Sequence, residues 1–521
     1  MRRYINIVIF VIGLNIFSGM FFFAPAMAQE QKTSHITGPQ EPPFIPVQPI
    51  AIVGGTLIDA TGAMPKIGYT VVIEGRKITK VGRSEDVKIP KDAQVINAEG
   101  MTIMPGIINS NQHLQLDPLF SAGTADITLE AIKELWEENF SRMPHRAYVY
   151  LMQGITSMRQ TSGPYKRMLS VKKKIDAGEI AGPRVFLGGA LFMSKAHFQQ
   201  YIEKSGASKE VEIWLRDNFA YNVIDDVAAG TDPFTGPEFN FWKLYMSDEI
   251  YDGKNDFSDE DLREIIKKAH KYGKIIDVHA GGHNAGLRRM LDFDIDTLEH
   301  PFYGHELIDE DIIEGYVKKG AIIDTLLRVM VAGAEHAQDP HRFNETQYIM
   351  SMTPEDYRQL LRYRDKMLDN KRNPDRPGRA VYQADKKASK QEDEDDSLKL
   401  FGPSYNKLQA ERATSHENMR RFIKAGAKFS LGTDTPTFLN FLQDDPHALE
   451  YGYMIKEGMT PMSAIIAATR NGAEALGLAN QLGTIEEGKL ADVIVVAGNP
   501  LADLNALKRV YVVIKDGVRY K

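Results

Sequence analysis

The sequence predicts an α/β fold: a TIM-like (β/α)8 barrel with a small β-sandwich domain built from both chain ends. Three observations lead there. The middle of the chain alternates strand-like apolar runs with amphipathic helical stretches, the pattern of parallel β–α units. That middle is long enough to close the units into an eight-stranded barrel rather than leave them as an open sheet. Both ends, by contrast, read as short strands and tight turns.

The elements follow in order. Arg2 and Arg3, an apolar run from Ile5 to Phe23 and the small-x-small end Ala26-Met27-Ala28 predict a signal peptide over residues 1–28, cleaved before Gln29. An uncleaved anchor is the weaker reading, because the Ala-x-Ala end marks a cleavage site. Residues 29–49 read as a linker. Residues 50–104 form the first half of the β-sandwich, in segments such as "TVVIEGRKITKVG" punctuated by Gly75, Gly82 and Gly100. Residues 105–482 form the barrel. In it, Ser258 caps a helix with an acidic first turn that stops at Gly273, a second helix closes at Gly426, and Thr460-Pro461 opens a third. Residues 483–521 complete the sandwich: Val493 to Val496 is a buried-strand run, and Lys515-Asp516-Gly517 a hairpin turn. Residues 332–413 break the rhythm. They carry a charge run from Lys386 to Asp396 and read as a solvated insertion, with a lid over the barrel mouth as the alternative.

Bulk properties narrow the function. A net charge of −7 leaves no electrostatic footprint for nucleic acid. The cysteine count of 0 removes disulfides, thiolate ligands and a cysteine nucleophile. With the export signal, this predicts a periplasmic or secreted bacterial protein that uses the general secretory route. No stable membrane span is expected after cleavage, a small molecule is the expected partner, and a homo-oligomer stays open.

Five polar residues end predicted strands in successive units: His113, Lys243, His279, His300 and Asp434. In such a barrel those ends form the active face. A single histidine, lysine or aspartate there is usually a packed or capping residue. Five together are hard to explain by packing. Imidazole and carboxylate donors without sulfur suit Zn²⁺ or a similar divalent ion.

The stretch "MPGIINSNQHLQL" resembles the opening metal-binding strand of the amidohydrolase superfamily, and the chain is similar to its imidazolonepropionase and prolidase-like branch. "GITSMRQTSG", "AGPRVFLGGA", "NFWKLYM", "DVHA", "LEHP", "LGTDTP" and the tail "LGTIEEGKLADVIVVAGNPL" carry the likeness over nearly the whole mature chain. The resemblance implies that Lys243 stands at the position of a carboxylated, metal-bridging lysine. It further implies that His279 and His300 are ligands, and that Asp434 is a ligand and proton shuttle. His197, in "SKAHF", matches loosely a histidine that stabilises an oxyanion, with a plain loop histidine equally supported.

The sequence departs from the pattern at the first strand. Asn109 stands where an Asp is expected and Asn111 where the first histidine is expected, and Gln160 replaces an Asp after the second strand. An amide oxygen is a poorer ligand, so Asn111 would contribute weakly beside His113 and one tightly bound ion is expected rather than two. The expected reaction is hydrolysis of an amide-type C–N bond in an N-acyl amino acid, dipeptide or cyclic amide by a metal-activated water. Lactone or ester hydrolysis, or a degenerate ligand-binding barrel, are the alternatives. Deamination is disfavoured because His279-Ala280-Gly281-Gly282 lacks an acid. Arg159 and Tyr245 are read as structural, with substrate contact as the second choice. His283, His305 and His447 receive no role.

Overall fold

A computed structural model describes residues 48–115, 128–329 and 405–521, apart from short gaps at 190, 206, 219–220, 247–256, 304–305 and 436–445, and isolated positions between 331 and 372. The expected signal peptide, nearly all of the linker and most of the 332–413 stretch lie outside the described residues. No helix among the described residues is long and apolar enough to cross a membrane.

The architecture is α/β. The first strands are β1 (Ile50–Leu57), β2 (Lys66–Glu74), β3 (Lys77–Arg83), β4 (Gln94–Asn97) and β5 (Met101–Pro105). A central set follows: β6 (Ile107–Gln112), β7 (Ile155–Gln160), β8 (Arg184–Leu187), β9 (Leu191–Ser194), β10 (Tyr221–Ile224), β11 (Phe241–Tyr245), β12 (Ile275–His279), β13 (Thr297–Glu299), β14 (Ile322–Asp324) and β15 (Lys428–Ser430). The chain closes with β16 (Val493–Ala497), β17 (Val510–Lys515) and β18 (Val518–Arg519).

Both chain ends join in one eight-stranded sheet, in the order β18-β17-β16-β5-β1-β2-β3 with β4 beside β1. The strands expected from sequence to build a β-sandwich are all hydrogen-bonded into this sheet, and they share one apolar cluster. Its two faces explain the apolar run in β16. Val493 and Val495 join a cluster with Ile52, Val71, Ile96 and Val512, while Ile494 and Val496 point the other way into the main core. The hairpin between β17 and β18 turns on Asp516 (φ 51°) and Gly517 (φ 74°), the left-handed pair that a two-residue turn demands. Arg184 in β8 ties this sheet to the central strands. It holds Asp492 bidentately at 2.6 and 3.0 Å and reaches Asp516 at 2.7 Å.

The central strands are parallel. Seven run in the order β10-β9-β11-β12-β13-β14-β15 and three in the order β6-β7-β8. Backbone bonds link the two sets on both sides. Ser110 N donates to Leu431 O at 2.7 Å and His113 N to Thr435 O at 2.8 Å, while Asn240 N donates to Leu187 O at 2.8 Å. Helices cover the strands. Asp259–Lys271 starts at Ser258, whose hydroxyl accepts from Asp261 N while Asp261 accepts in return, and its apolar stripe of Leu262, Ile265, Ile266 and Ala269 is buried. Tyr405–Lys424 begins inside the stretch read from sequence as an insertion and ends before Gly426 (φ 82°).

Candidate active site

The carboxyl ends of the parallel strands carry the chemistry. In β12 Asp277 and His279 share a face, two residues apart, and register sets Lys243 beside Asp277 and His279 beside Glu299. His300 follows β13 directly, and Asp434 follows β15 by four residues. Both take a left-handed backbone, φ 61° and 51°. Such conformations cost non-glycine residues about 1–3 kcal/mol and cluster where function holds them.

Contacts run unbroken through the expected residues. His113 Nε2 donates to Asp434 Oδ1 at 2.7 Å, and Asp434 Oδ2 lies 3.9 Å from His300 Nε2. The His300 and His279 rings are 4.2 Å apart. Glu299 lies beside them, and the Lys243 ammonium is ion-paired with it. His279, Glu299 and His300 each offer one ligand atom, all within 4.8 Å of one another. Glu299 Oε1 is buried and makes no hydrogen bond, with the nearest guanidinium, that of Arg159, at 3.6 Å. Two imidazoles and a carboxylate in a buried cluster fit a divalent cation of the zinc type.

Electrostatics bind the group together. Burial works against the charge on Asp434, but the hydrogen bond from His113 and the nearby His300 and Lys243 hold its carboxyl well below the usual range. Burial likewise opposes the Lys243 charge, and Glu299, Asp277 and Asp434 more than compensate, holding the amine above its ordinary value. Below lies a second cluster. Asp277, Glu299 and Asp324 converge around Arg159, which reaches Asp324 at 2.6 Å, Asp277 at 3.1 Å and the Ser110 carbonyl. Burial and Asp277 push Glu299 upward, and burial pushes Asp324 up to about 6. A cation among them would relieve that repulsion.

Other candidates sit differently. Asn111 is fully buried, but its amide oxygen accepts from Thr161 Oγ1 at 2.7 Å, and its carbonyl accepts from Thr433 N and Asp434 N. It thereby shapes the Asp434 loop through its backbone. Asn109 donates to Thr433 Oγ1 at 2.8 Å. The positions expected to carry charged or imidazole ligands thus form an amide–hydroxyl network. Gln160 accepts from Leu114 N at 2.8 Å and donates to Ser162 O, supporting the loop around His113. His197 donates from Nδ1 to the Tyr245 carbonyl at 3.3 Å and stacks on the Tyr245 ring, which in turn packs edge-on against His279 at 4.3 Å. Tyr245 therefore stands between His197 and the cluster. Tyr303 stacks on His300 at 5.2 Å. His283 lies 3.7 Å from Glu306, and His305 is outside the described residues.

His447 is fully buried in the helix Pro446–Lys456, and burial, with Lys508 nearby, depresses it to about 4. A folded-state value below the unfolded one means that the unfolded chain binds the extra proton, so stability falls as the pH drops from about 6.5 towards 4. Replacing His447 with leucine is expected to flatten that acid limb by up to about 3 kcal/mol, read from denaturation midpoints across the window.

Gly282 fixes the Tyr303 loop. A Cβ there would lie 2.2 Å from Tyr303 O and 2.8 Å from Tyr303 N, both backbone atoms. Gly282→Ala is expected to cost about 1–3 kcal/mol of stability and to lower turnover by moving the loop that seats His300, checked by thermal melting and initial rates.

Sequence reasoning misses Asp277, Glu299 and Asp324. The available signal is a charged residue inside each apolar strand run, in "IIDVH", "TLEH" and "IIDT".

A model of the amidohydrolase family matches residues 102–519. The chain belongs to the amidohydrolase family. This amidohydrolase is 24% identical over 478 residues to ochratoxinase of Aspergillus niger, covering 88% of the chain and 83% of that protein. It is 22% identical over 454 residues to imidazolonepropionase of Brevibacillus brevis, covering 82% and 83%. Among solved structures, a Xaa-Pro dipeptidase with bound methionine shares the fold, with TM-score 0.66 and 22% identity over 91% of this chain and 100% of the other. Like its relatives, this amidohydrolase is an enzyme that acts on C–N bonds.

Proposed function

We propose that this amidohydrolase cleaves an amide-type C–N bond in a small substrate, an N-acyl amino acid, a dipeptide or a cyclic amide, at the cluster of His113, Lys243, His279, His300 and Asp434. The observation that carries the reading is the unbroken run of contacts from His113 through Asp434 and His300 to His279, set at the ends of parallel strands. We read the eight strands β6, β7, β8 and β11–β15 as a closed (β/α)8 barrel, supported by the backbone bonds that link the two central sheets on both sides.

A divalent cation, zinc by its donor set, would be held by His279 and His300 and would supply a polarised carbonyl and a water with its pKa lowered towards ~7. Asp434 is the base. Its carboxyl stays ionised, accepts the water proton and returns it to the leaving nitrogen. His113 fixes the carboxylate: its Nε2–H points at Asp434 while its Nδ1 accepts from Ser162 Oγ at 3.2 Å. Tyr245 packs against His279 and Tyr303 against His300. His197 acts through Tyr245, whose ring it supports. The names of the relatives favour a substrate with a carbonyl–nitrogen bond, a Xaa-Pro dipeptide among them. Export to the periplasm or beyond is the proposed destination, supported by the N-terminal sequence pattern.

The test is a panel of N-acyl amino acids, Xaa-Pro dipeptides, cyclic amides, esters and lactones given to the purified protein. The reading expects turnover of at least one amide, lost on chelation and restored by zinc. Turnover confined to esters or lactones would move the reaction class, and no turnover on any member would remove the reading's support.

A further inference from the structure

Resting on that reading, we propose that Tyr150 is a positioning residue: its hydroxyl joins the loop after β6 to the loop after β15 and so holds His113 against Asp434. Three observations carry this. The first is the pair of donors on the helix Leu129–Met152. Arg146 and Tyr150 are four residues apart and therefore share a face. Arg146 donates to the Leu114 carbonyl at 2.8 Å, and Tyr150 Oη donates to the His113 carbonyl at 3.2 Å. One helix face thus grips two consecutive carbonyls of the segment that presents the imidazole.

The second is where the same hydroxyl goes next. It also reaches the Thr435 carbonyl at 3.4 Å, and that carbonyl accepts from His113 N at 2.8 Å. Tyr150, 0% exposed, therefore stands across the seam between the two loops, with His113 on one side and the residue after Asp434 on the other. The third is strain. Asp434 has a left-handed backbone, φ 51°, which a non-glycine residue keeps only where its surroundings over-determine it. Before it, Thr433 N and Asp434 N are fixed on the Asn111 carbonyl. After it, the Thr435 carbonyl is fixed by His113 N and Tyr150. The hydroxyl bonds backbone atoms only, so it acts on where the ring and the carboxylate sit rather than on the proton they handle. A hydroxyl that merely met a hydrogen-bonding need would behave like that of Tyr316. That residue is also 0% exposed, and it donates to the Leu287 carbonyl at 2.7 Å between two covering helices.

The experiment compares Tyr150→Phe with Tyr316→Phe in the full chain, each variant losing one buried hydroxyl bonded to backbone. Both are expected to melt below the parent. On whichever amide the parent turns over, Tyr150→Phe is expected to lower kcat about tenfold or more with KM within about twofold, while Tyr316→Phe keeps both within about twofold. Hydrogen exchange read by mass spectrometry is expected to quicken in the peptides that cover residues 107–115 and 428–435 of Tyr150→Phe, and not in those of Tyr316→Phe. A parental kcat, a loss confined to KM, or an equal loss of kcat in the two variants would overturn the inference and leave the hydrolytic reading standing. If the parent turns over no substrate, the hydrolytic reading falls, and exchange alone decides the positioning role: unchanged rates in the two loop peptides overturn it, and faster rates there uphold it. Should Tyr150→Phe fail to fold, Arg146→Lys takes its place with the same outcomes.

Discussion

Asp434→Asn is expected to lower kcat by about 10³-fold or more while leaving the fold intact. The substitution keeps the side chain's shape and one oxygen, so the hydrogen bond from His113 Nε2, 2.7 Å in the parent, survives. What is lost is the anionic oxygen that takes a proton. Backbone bonds from Thr433 N and Asp434 N to the Asn111 carbonyl hold the loop in either variant, so thermal melting is expected to stay close to the parent. The left-handed backbone at this position, φ 51°, also suits asparagine. Rates measured on whichever panel member the parent turns over, beside zinc content and melting temperature, decide the matter. A variant that keeps parental turnover would remove Asp434 from the chemistry.

Arg159→Met is expected to have the largest effect on stability, about 3–5 kcal/mol, seen as a lower midpoint in chemical denaturation. The guanidinium is 0% exposed and stands between Asp277 and Asp324, with Thr297 and the Ser110 carbonyl on its remaining donors. Methionine fills the space but leaves three buried carboxylates facing one another. Arg159→Lys restores the charge without the planar fork and is expected to recover only part of the loss. A methionine variant as stable as the parent would mean that these acids are already neutralised by protonation.

Much of this site was legible in the sequence because its residues end strands. A histidine after "IIDV" or "DTLE", or an aspartate after "SLGT", is marked by its place at the close of an apolar run. The interior acids are harder to see. In "IIDVH" the alternation says that Asp277 and His279 share a face, but not that the face looks into the centre. The partners of Arg159 lie 118 and 165 residues away, a pairing that no local pattern encodes. The reading of Arg159 and Tyr245 as structural agrees with the contacts they make. Lys243 also closes a strand run, but its ion-pair partner Glu299 lies 56 residues away in sequence and has no local signature. The polar composition of the stretch 332–413 hides the start of the helix Tyr405–Lys424.

The sheet built from both termini has a consequence for how the chain acquires its shape. β1 and β5 are made before the central strands, yet β5 finds its antiparallel neighbour β16 only after all of them. The Arg184 clamp on Asp492 and Asp516 likewise waits for residues that follow the central strands. Contacts so distant in sequence make acquisition of the native state slow and leave the early strands with an uncovered edge in the meantime. Synthesis alone therefore cannot finish the molecule piece by piece from its beginning. The final segment acts as the latch, and a chain interrupted before Val493 would be left with an open first sheet, however complete its chemistry.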